Sequence, residues 1–277
     1  MIPKSEVIDL IRLALREDIG PGDITTGAIF NGTEPGEAVI IAREDGVFCS
    51  GGIPTIVYGE LDAAVRVDYS VADGGTARPG DTLVRIQGPV SSILTGERTV
   101  LNFLQRMCGV STAAARACRV LEGTGITILD TRKTAPGMRA LDKFAVRTGG
   151  GANHRFGLFD MVMIKDNHIR AAGGIREAVT RVRRAHGGRY RIEVEVTNEC
   201  EVRDALDAGA EIIMLDNMDI PTMNLALEII GGRAKTEVSG NITEEKLQSL
   251  RGLGITYISM GSLTHSVRAF DLSMKFL

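Results

Sequence analysis

The sequence predicts an α/β fold: a small α+β domain followed by a parallel barrel with fewer than eight strands. Three observations carry this prediction. From residue 126 onward, six short apolar runs alternate with helical segments, which is the rhythm of a parallel sheet covered by helices. Each of those runs ends in polar residues, where α/β barrels place their active sites. The first third instead shows short, partly alternating strands separated by Gly and Pro turns.

Taken in order, residues 5–17 read as a helix with Val7, Ile8, Ile11 and Leu15 on one stripe and Ser5 as N-cap. The helix stops before Gly20-Pro21-Gly22. Strands are expected at 37–42, 46–50, 63–69 and 81–86, with turns at Gly74-Gly75 and Pro79-Gly80. From Ser91 a long helix follows, with Ile93, Leu94, Val100, Leu101, Leu104 and Met107 on its apolar face, a break near Gly109, and the task of joining the two domains. The barrel strands are expected at 126–131, 161–165, 191–196, 211–215, 235–239 and 257–260. Helices are expected near 139–148, 174–186, 199–208, 221–230 and 243–252, with one more after the last strand. The domains implied are 1–110 and 111–265, with residues 266–277 packing back on the first.

Composition sets bounds on function. The chain has 277 residues, is 44% hydrophobic and 24% charged, and carries a formal charge of −3. That balance suits a globular core without disulfides and argues against a general nucleic-acid binder. Cys49, Cys108, Cys118 and Cys200 have no zinc-ligand spacing and read as reduced thiols of a cytoplasmic protein. MIPKSEVIDL is charged where a signal peptide needs an apolar run, and no segment is long and apolar enough to span a membrane.

The stretch from Asp130 to His168 holds seven Lys or Arg, two His and four Asp between two strands, beside the Gly149-Gly150-Gly151 run. Cations next to glycines at strand ends suit a polyanionic small molecule. Reading the strand ends in order collects two groups. Arg132, Lys133, Arg139, His154, Arg155 and Lys165 form a cationic half, fit for carboxylates. Glu195, Asp216, Ser239 and Gly261 form an acidic half with a phosphate cradle, fit for a phosphorylated sugar and a divalent metal. Glu193 and Glu195 are two apart and share one side of their strand. A carboxylate in the lumen there needs a metal, Lys165, or an Arg of the outer helices.

The motifs EDIGPGDITT, GERTVLNFLQRMCGVST, DTRKTAPGMR, GGGANHRFGLFDMVMIKDNH, IEVEV, IMLDNM, EVSGNI and GSLTHSV span almost the whole chain. Together they resemble the quinolinate phosphoribosyltransferase family. The resemblance implies an incomplete TIM-like α/β barrel with an N-terminal α+β open-faced sandwich domain. It implies transfer of phosphoribose from phosphoribosyl pyrophosphate to quinolinate, with Mg²⁺ and loss of CO₂, as a step of NAD biosynthesis. Family members are dimers or larger assemblies of dimers, so Arg98 would reach the partner's site. Matched position by position, Arg98, Thr131, Arg132, His154, Arg155 and Lys165 would surround quinolinate. Lys133, Glu195, Asp216, Ser239, Gly240, Asn241 and Gly261 would hold phosphoribosyl pyrophosphate, with Glu195 and Asp216 on the metal directly or through water. Lys133, Lys165, Glu195 and Asp216 would be catalytic. Ala135 and Thr148 stand where many relatives have Thr and Cys, and neither change removes a charge.

Two other readings compete. A Schiff-base aldolase would use Lys165 as nucleophile, but a lysine among Arg and Asp lacks the apolar setting that activates an amine. A non-catalytic sensor of phosphorylated ligands has no need of both Glu195 and Asp216. No role follows for His265 and Arg268 beyond capping and packing.

Overall fold

The computed structural model describes residues 1–277 and divides into two compact units. The first comprises residues 1–115, 134–150 and 263–277, and the second residues 116–133 and 151–262. The expected division into 1–110 and 111–265, with 266–277 packing back on the first, differs in the segment 134–150, which belongs to the first unit; the C-terminal tail lies in that unit too.

In the first unit, helix α1 (Lys4–Ile19) buries Val7, Ile11 and Leu15. It begins one residue before Ser5, with Pro3 at the cap position and no side-chain cap bond. After the short α2 (Thr26–Ile29) come β1 (Pro35–Ala42), β2 (Gly46–Val47), α3 (Ile53–Leu61), β3 (Arg66–Tyr69), β4 (Thr76–Ala77) and β5 (Thr82–Pro89). The expected strand 46–50 shrinks to β2, because Cys49 onward turns into α3. That helix escapes notice in the sequence because its residues, IPTIVYGEL, are too uniformly apolar to show a period. It starts with Pro54 in its first turn, where the missing N–H is harmless.

The main antiparallel sheet has the order β12-β1-β5-β3, where β12 is Leu272–Phe276. Residues 272–276 thus form a strand paired with β1, Ala42 opposite Leu272 and Ala38 opposite Phe276. Helix α4 (Val90–Val120) runs without a break through Gly109. Gly109 is there for proximity: a Cβ would sit 2.2 Å from the Arg268 carbonyl oxygen. Within the same unit, α5 (Arg139–Thr148) is tied to α4 by Arg106. Its Nε and Nη2 each donate at 2.8 Å to the carboxylate of Asp142, which is 1% exposed. Helix α5 was expected as an outer helix of the barrel. Its packing on α4 puts it in the other unit.

The second unit is a six-stranded parallel sheet of order β6-β11-β10-β9-β8-β7. Its strands and helices follow as β6 (Thr127–Leu129), β7 (Val162–Ile164), α6 (Asp166–Ala172), α7 (Ile175–His186), β8 (Ile192–Val196), α8 (Glu199–Asp207), β9 (Ile212–Asp216), α9 (Ile220–Ile230), β10 (Lys235–Ser239), α10 (Glu244–Leu250) and β11 (Tyr257–Ser259); α11 (Ser262–His265) starts on its last residue and continues into the first unit. Asn198 caps α8 through Glu201 N–H, and Asp219 caps α9 through Thr222 N–H. Val194, Val196, Ile213, Leu215 and Ile258 are fully buried under the helices. The other parity faces the lumen. Backbone pairing continues beyond β6 only as a parallel bridge from Leu129 to Ala152, so no ladder of hydrogen bonds closes the barrel.

Gly109→Ala tests the close approach of α4 to the C-terminal segment. Helix propensity alone favours Ala by about 1 kcal/mol. The collision with a main-chain oxygen outweighs this, so a net loss of about 1–3 kcal/mol is expected. Urea denaturation should show a lower midpoint at unchanged slope; a gain in stability would refute the packing role.

Candidate active site

Register and parity define the lumen. Glu195 pairs with Met214, Met214 with Glu237, and Asp216 with Ser239. Glu193, Glu195, Asp216, Glu237 and Ser239 therefore project from one face of β8, β9 and β10. Two of them, Glu193 and Glu237, are 0% and 1% exposed. Burial without compensation is costly for a carboxylate, so their partners matter.

Those partners lie in one segment. Glu193 Oε2 is 3.0 Å and Glu237 Oε2 is 3.5 Å from Nε2 of His154, whose side chain is 6% exposed. Nδ1 of the same ring accepts the Arg155 N–H at 2.7 Å. A third buried carboxylate, Asp130, accepts the His154 N–H at 2.9 Å and the Asn153 side-chain amide. Residues 153 and 154 are thus fastened by Asp130 at the end of β6, and the His154 ring lies against carboxyls of β8 and β10. Burial pushes the Glu193 carboxyl up to about 7. Burial, then the neighbouring Glu193 charge, pushes Glu237 up to about 8, with His154 and the Ser259 hydroxyl pulling the other way. The two carboxyls are close enough to share a proton.

Cationic groups lie at the mouth. Arg155 is half-buried, and burial followed by the charge of Arg132 holds its guanidinium below the usual range. Two guanidinium groups set close together make a site for an anion. Lys165 Nζ donates to Glu195 Oε2 at 2.6 Å. The Lys165 N–H is itself held by Nδ1 of His168 at 3.1 Å, which gives the KDNH motif a physical role at the start of α6. Thr131 Oγ1 accepts from Lys133 N–H at 3.0 Å and shapes the turn that carries Arg132 and Lys133.

At the ends of β9 and β10 two corners interlock. Asn217 and Asn241 have left-handed backbones, φ 52° and 47°. The Asn217 side chain donates to Asp216 Oδ2 at 2.8 Å, and its N–H donates to Ser239 O at 3.0 Å. Gly240, at φ +103°, has room for no side chain, since a Cβ would lie 2.1 Å from Asn217 Oδ1. Lys246 Nζ donates to the Gly240 carbonyl at 2.9 Å, so a cation stands beside this turn. Gly261 and Ser262 form the equivalent end of β11.

The quinolinate phosphoribosyl transferase N-terminal domain matches residues 23–108, and the C-terminal domain of the same name matches residues 110–275. The chain belongs to the quinolinate phosphoribosyl transferase family. It is 45% identical over 258 residues to a probable carboxylating nicotinate-nucleotide pyrophosphorylase of Bacillus subtilis, covering 93% of this chain and 89% of that one. It is 41% identical over 292 residues to a decarboxylating quinolinate phosphoribosyltransferase of Nicotiana glauca, covering 99% and 83%. Among solved structures, NadC from Streptococcus pyogenes superposes with a TM-score of 0.96 at 39% identity, over 100% of this chain and 99% of that one.

Against this family background, the structure brings Arg132, Lys133, His154, Arg155, Lys165, Glu195, Asp216, Ser239, Gly240, Asn241 and Gly261 into the barrel unit. Arg98, exposed on α4, and Arg139, the first residue of α5, lie in the other unit. Two expectations change. Lys165 pairs with Glu195, and Glu193 pairs with His154 rather than with a lysine or an outer arginine. The second change concerns His154, whose ring is turned inward: Nδ1 accepts the Arg155 N–H and Nε2 lies beside Glu193 and Glu237. Glu237 was missed, although it has the same parity as Ser239, two residues on, and that spacing was sufficient to find it. At the C-terminus, Arg268 pairs with Glu44 at 2.9 Å and His265 Nδ1 lies 2.7 Å from Ser266 Oγ, both local packing.

The buried carboxyls make stability depend on pH. Both keep their protons to higher pH in the folded chain than the ordinary value of 4.5. Their stabilising contribution is complete below pH 4.5 and is lost as pH rises through about 7 and about 8. Glu237→Gln cannot ionise, so its melting temperature relative to the parent should climb between about pH 5 and about pH 8. Parallel curves across that range would contradict the assignment.

Proposed function

We propose that the barrel mouth performs quinolinate phosphoribosyl transfer in two electrostatic halves, with Lys165–Glu195 at their join. The activity is that of the family: phosphoribosyl pyrophosphate and quinolinate give nicotinate mononucleotide, pyrophosphate and CO₂. The observation that carries the division is the closeness of the Arg132 charge to Arg155 at the rim, with buried Asp130 fastening the segment below. Quinolinate is a dianion, and guanidinium forks match carboxylates in shape as well as charge. Arg132, Arg155 and Lys165 hold it, with Thr131 shaping the turn and His154 setting the main chain.

In the acidic half, Ser239, Gly240, Asn241 and Gly261 offer backbone N–H groups and space to the ribose 5-phosphate. Lys133 faces the pyrophosphate. Glu195 and Asp216 stand on adjacent strands and supply hard oxygen donors, which fit Mg²⁺ held directly or through water. When bound, that ion would neutralise charge on the departing pyrophosphate. The ring nitrogen of quinolinate forms the bond to C1 of ribose as the bond from C1 to pyrophosphate oxygen breaks. Its positive charge then accepts the electron pair of the bond to the leaving carboxylate, and the carbon takes a proton as CO₂ departs. Lys133, Lys165, Glu195 and Asp216 act by charge and position. An ammonium already donating to Glu195 is a poor Schiff-base nucleophile, which leaves the aldolase reading without support.

The assembly belongs to the same proposal: a homodimer, or a larger set of dimers, in which Arg98 reaches the partner's site. A cytoplasmic location accords with four free cysteines; Cys49 and Cys108 are buried, whereas Cys118 is half-buried and Cys200 exposed.

Pure protein given quinolinate, phosphoribosyl pyrophosphate and Mg²⁺ should release CO₂ and form the mononucleotide, and chelation should stop it. No product would refute the reading. Arg155→Ala should lower kcat/KM by about 3 kcal/mol, roughly two orders of magnitude. Arg98→Ala and Lys165→Ala should each be nearly inactive alone and recover part of the activity when mixed. Stable mixed dimers with no recovery would exclude a shared site.

A further inference from the structure

The turn that follows β10 uses its hydrogen-bonding groups unevenly. The Ser239 carbonyl accepts the Asn217 N–H at 3.0 Å, and the Gly240 carbonyl accepts from Lys246 Nζ at 2.9 Å. The N–H groups of Gly240 and Asn241 donate to no group of the chain. Acceptors are occupied, and two consecutive donors are left over. Successive main-chain N–H groups in a turn make a concavity for an anion.

Lys246 is what ties down the second carbonyl, and helix chemistry does not explain it. It is the third residue of α10, and its own N–H is capped by Thr243 Oγ1 at 3.3 Å. A cation in the first turn of a helix opposes the helix dipole, which favours carboxylates there. Glu244 and Glu245 obey that preference. Lys246 breaks it, and its ammonium turns back to a main-chain oxygen instead of pairing with a carboxylate.

The effect of that bond passes through one peptide unit. No peptide bond in the chain is cis, so the Gly240 carbonyl and the Asn241 N–H point in opposite directions. Fixing the carbonyl therefore fixes the direction of the N–H. A charged donor on the carbonyl also polarises the unit and makes its N–H a better donor. The Asn217 carboxamide fills the space beside the Gly240 Cα, 2.1 Å from where a Cβ would lie, so the turn is held from a second side. We propose that Lys246 is a positioning residue for a phosphate monoester: through the Gly240 carbonyl it presents the Asn241 N–H, and it places a positive charge one peptide unit from the anion. This rests on the reading of the turn as the 5-phosphate cradle of phosphoribosyl pyrophosphate. That phosphate keeps its charge while the bonds at C1 change, so the interaction is felt equally in substrate and transition state and belongs to KM, not kcat.

The test combines kinetics with a titration. Lys246→Met removes the charge and the donor, and Lys246→Arg keeps both. Lys246→Met should raise the phosphoribosyl pyrophosphate KM about tenfold, the value of one charge-assisted hydrogen bond, with the quinolinate KM and kcat changed by no more than about threefold. Lys246→Arg should stay within about threefold of the parent for both substrates. A lysine that merely staples the loop would lower the melting temperature and spare this difference between substrates. In the parent, ribose 5-phosphate should shift the Asn241 amide resonance in ¹H–¹⁵N NMR, and Lys246→Met should bind the same compound about tenfold more weakly. The parent titration stands even if Lys246→Met fails to fold. An unchanged phosphoribosyl pyrophosphate KM in a folded Met variant, an equal loss for both substrates, or an Asn241 amide indifferent to ribose 5-phosphate would overturn the inference. A parent enzyme with no turnover would instead overturn the functional reading beneath it, and the titration would still report on Lys246.

Discussion

Everything at the mouth of this barrel depends on the need to satisfy three carboxylates inside it. Asp130, Glu193 and Glu237 are almost completely buried, and water cannot solvate them. The fold answers with a single short segment, Asn153-His154-Arg155, which gives Asp130 a side-chain amide and a main-chain N–H and sets the His154 ring 3.0 Å from Glu193. That segment follows Ala152, the one residue beyond β6 that continues the parallel pairing. The same few residues therefore extend the sheet edge, satisfy Asp130 and carry the Arg155 guanidinium.

The two halves of the mouth follow from strand parity. Lys165 continues the lumen-facing parity of Met163 on β7, and Glu195 lies on the next strand. Their 2.6 Å contact places the meeting point of the cationic and acidic halves at a definite pair of atoms. A dianion and a phosphorylated sugar repel one another, and a site that brings them together needs fixed charge of both signs. Polar groups oriented in advance need little reorganisation when charge moves between the ring nitrogen, the ribose and the leaving group.

Much of this was legible beforehand. The alternation after residue 126 marks the six barrel strands, and the polar strand ends mark the mouth. What escaped did so for identifiable reasons. Helix α3 carries no amphipathic period. Gly109 looks like a helix breaker in isolation, and only the Arg268 carbonyl, far along the chain, shows that it permits close packing. The segment carrying α5 interrupts the β-then-α rhythm but packs in the other unit, which no local pattern reveals. The pairing of Glu193 with His154 instead of Lys165 depends on distances across the lumen. His154 looks like a rim cation in the sequence, and only the structure shows its ring turned inward against Glu193 and Glu237.

The interlocked corners at Asn217 and Gly240 constrain how this protein can vary. The amide of Asn217 occupies the space that any side chain at 240 would need, and the left-handed turn at 217 is what aims that amide at Asp216. Positions 217 and 240 are thus a matched pair on neighbouring strands: a bulkier residue at one demands a smaller one at the other, and the smaller one would leave Asp216 without its guide. Lineages drifting at either position face a coupled step, so this corner should change more slowly than the exposed turns at the opposite end of the strands.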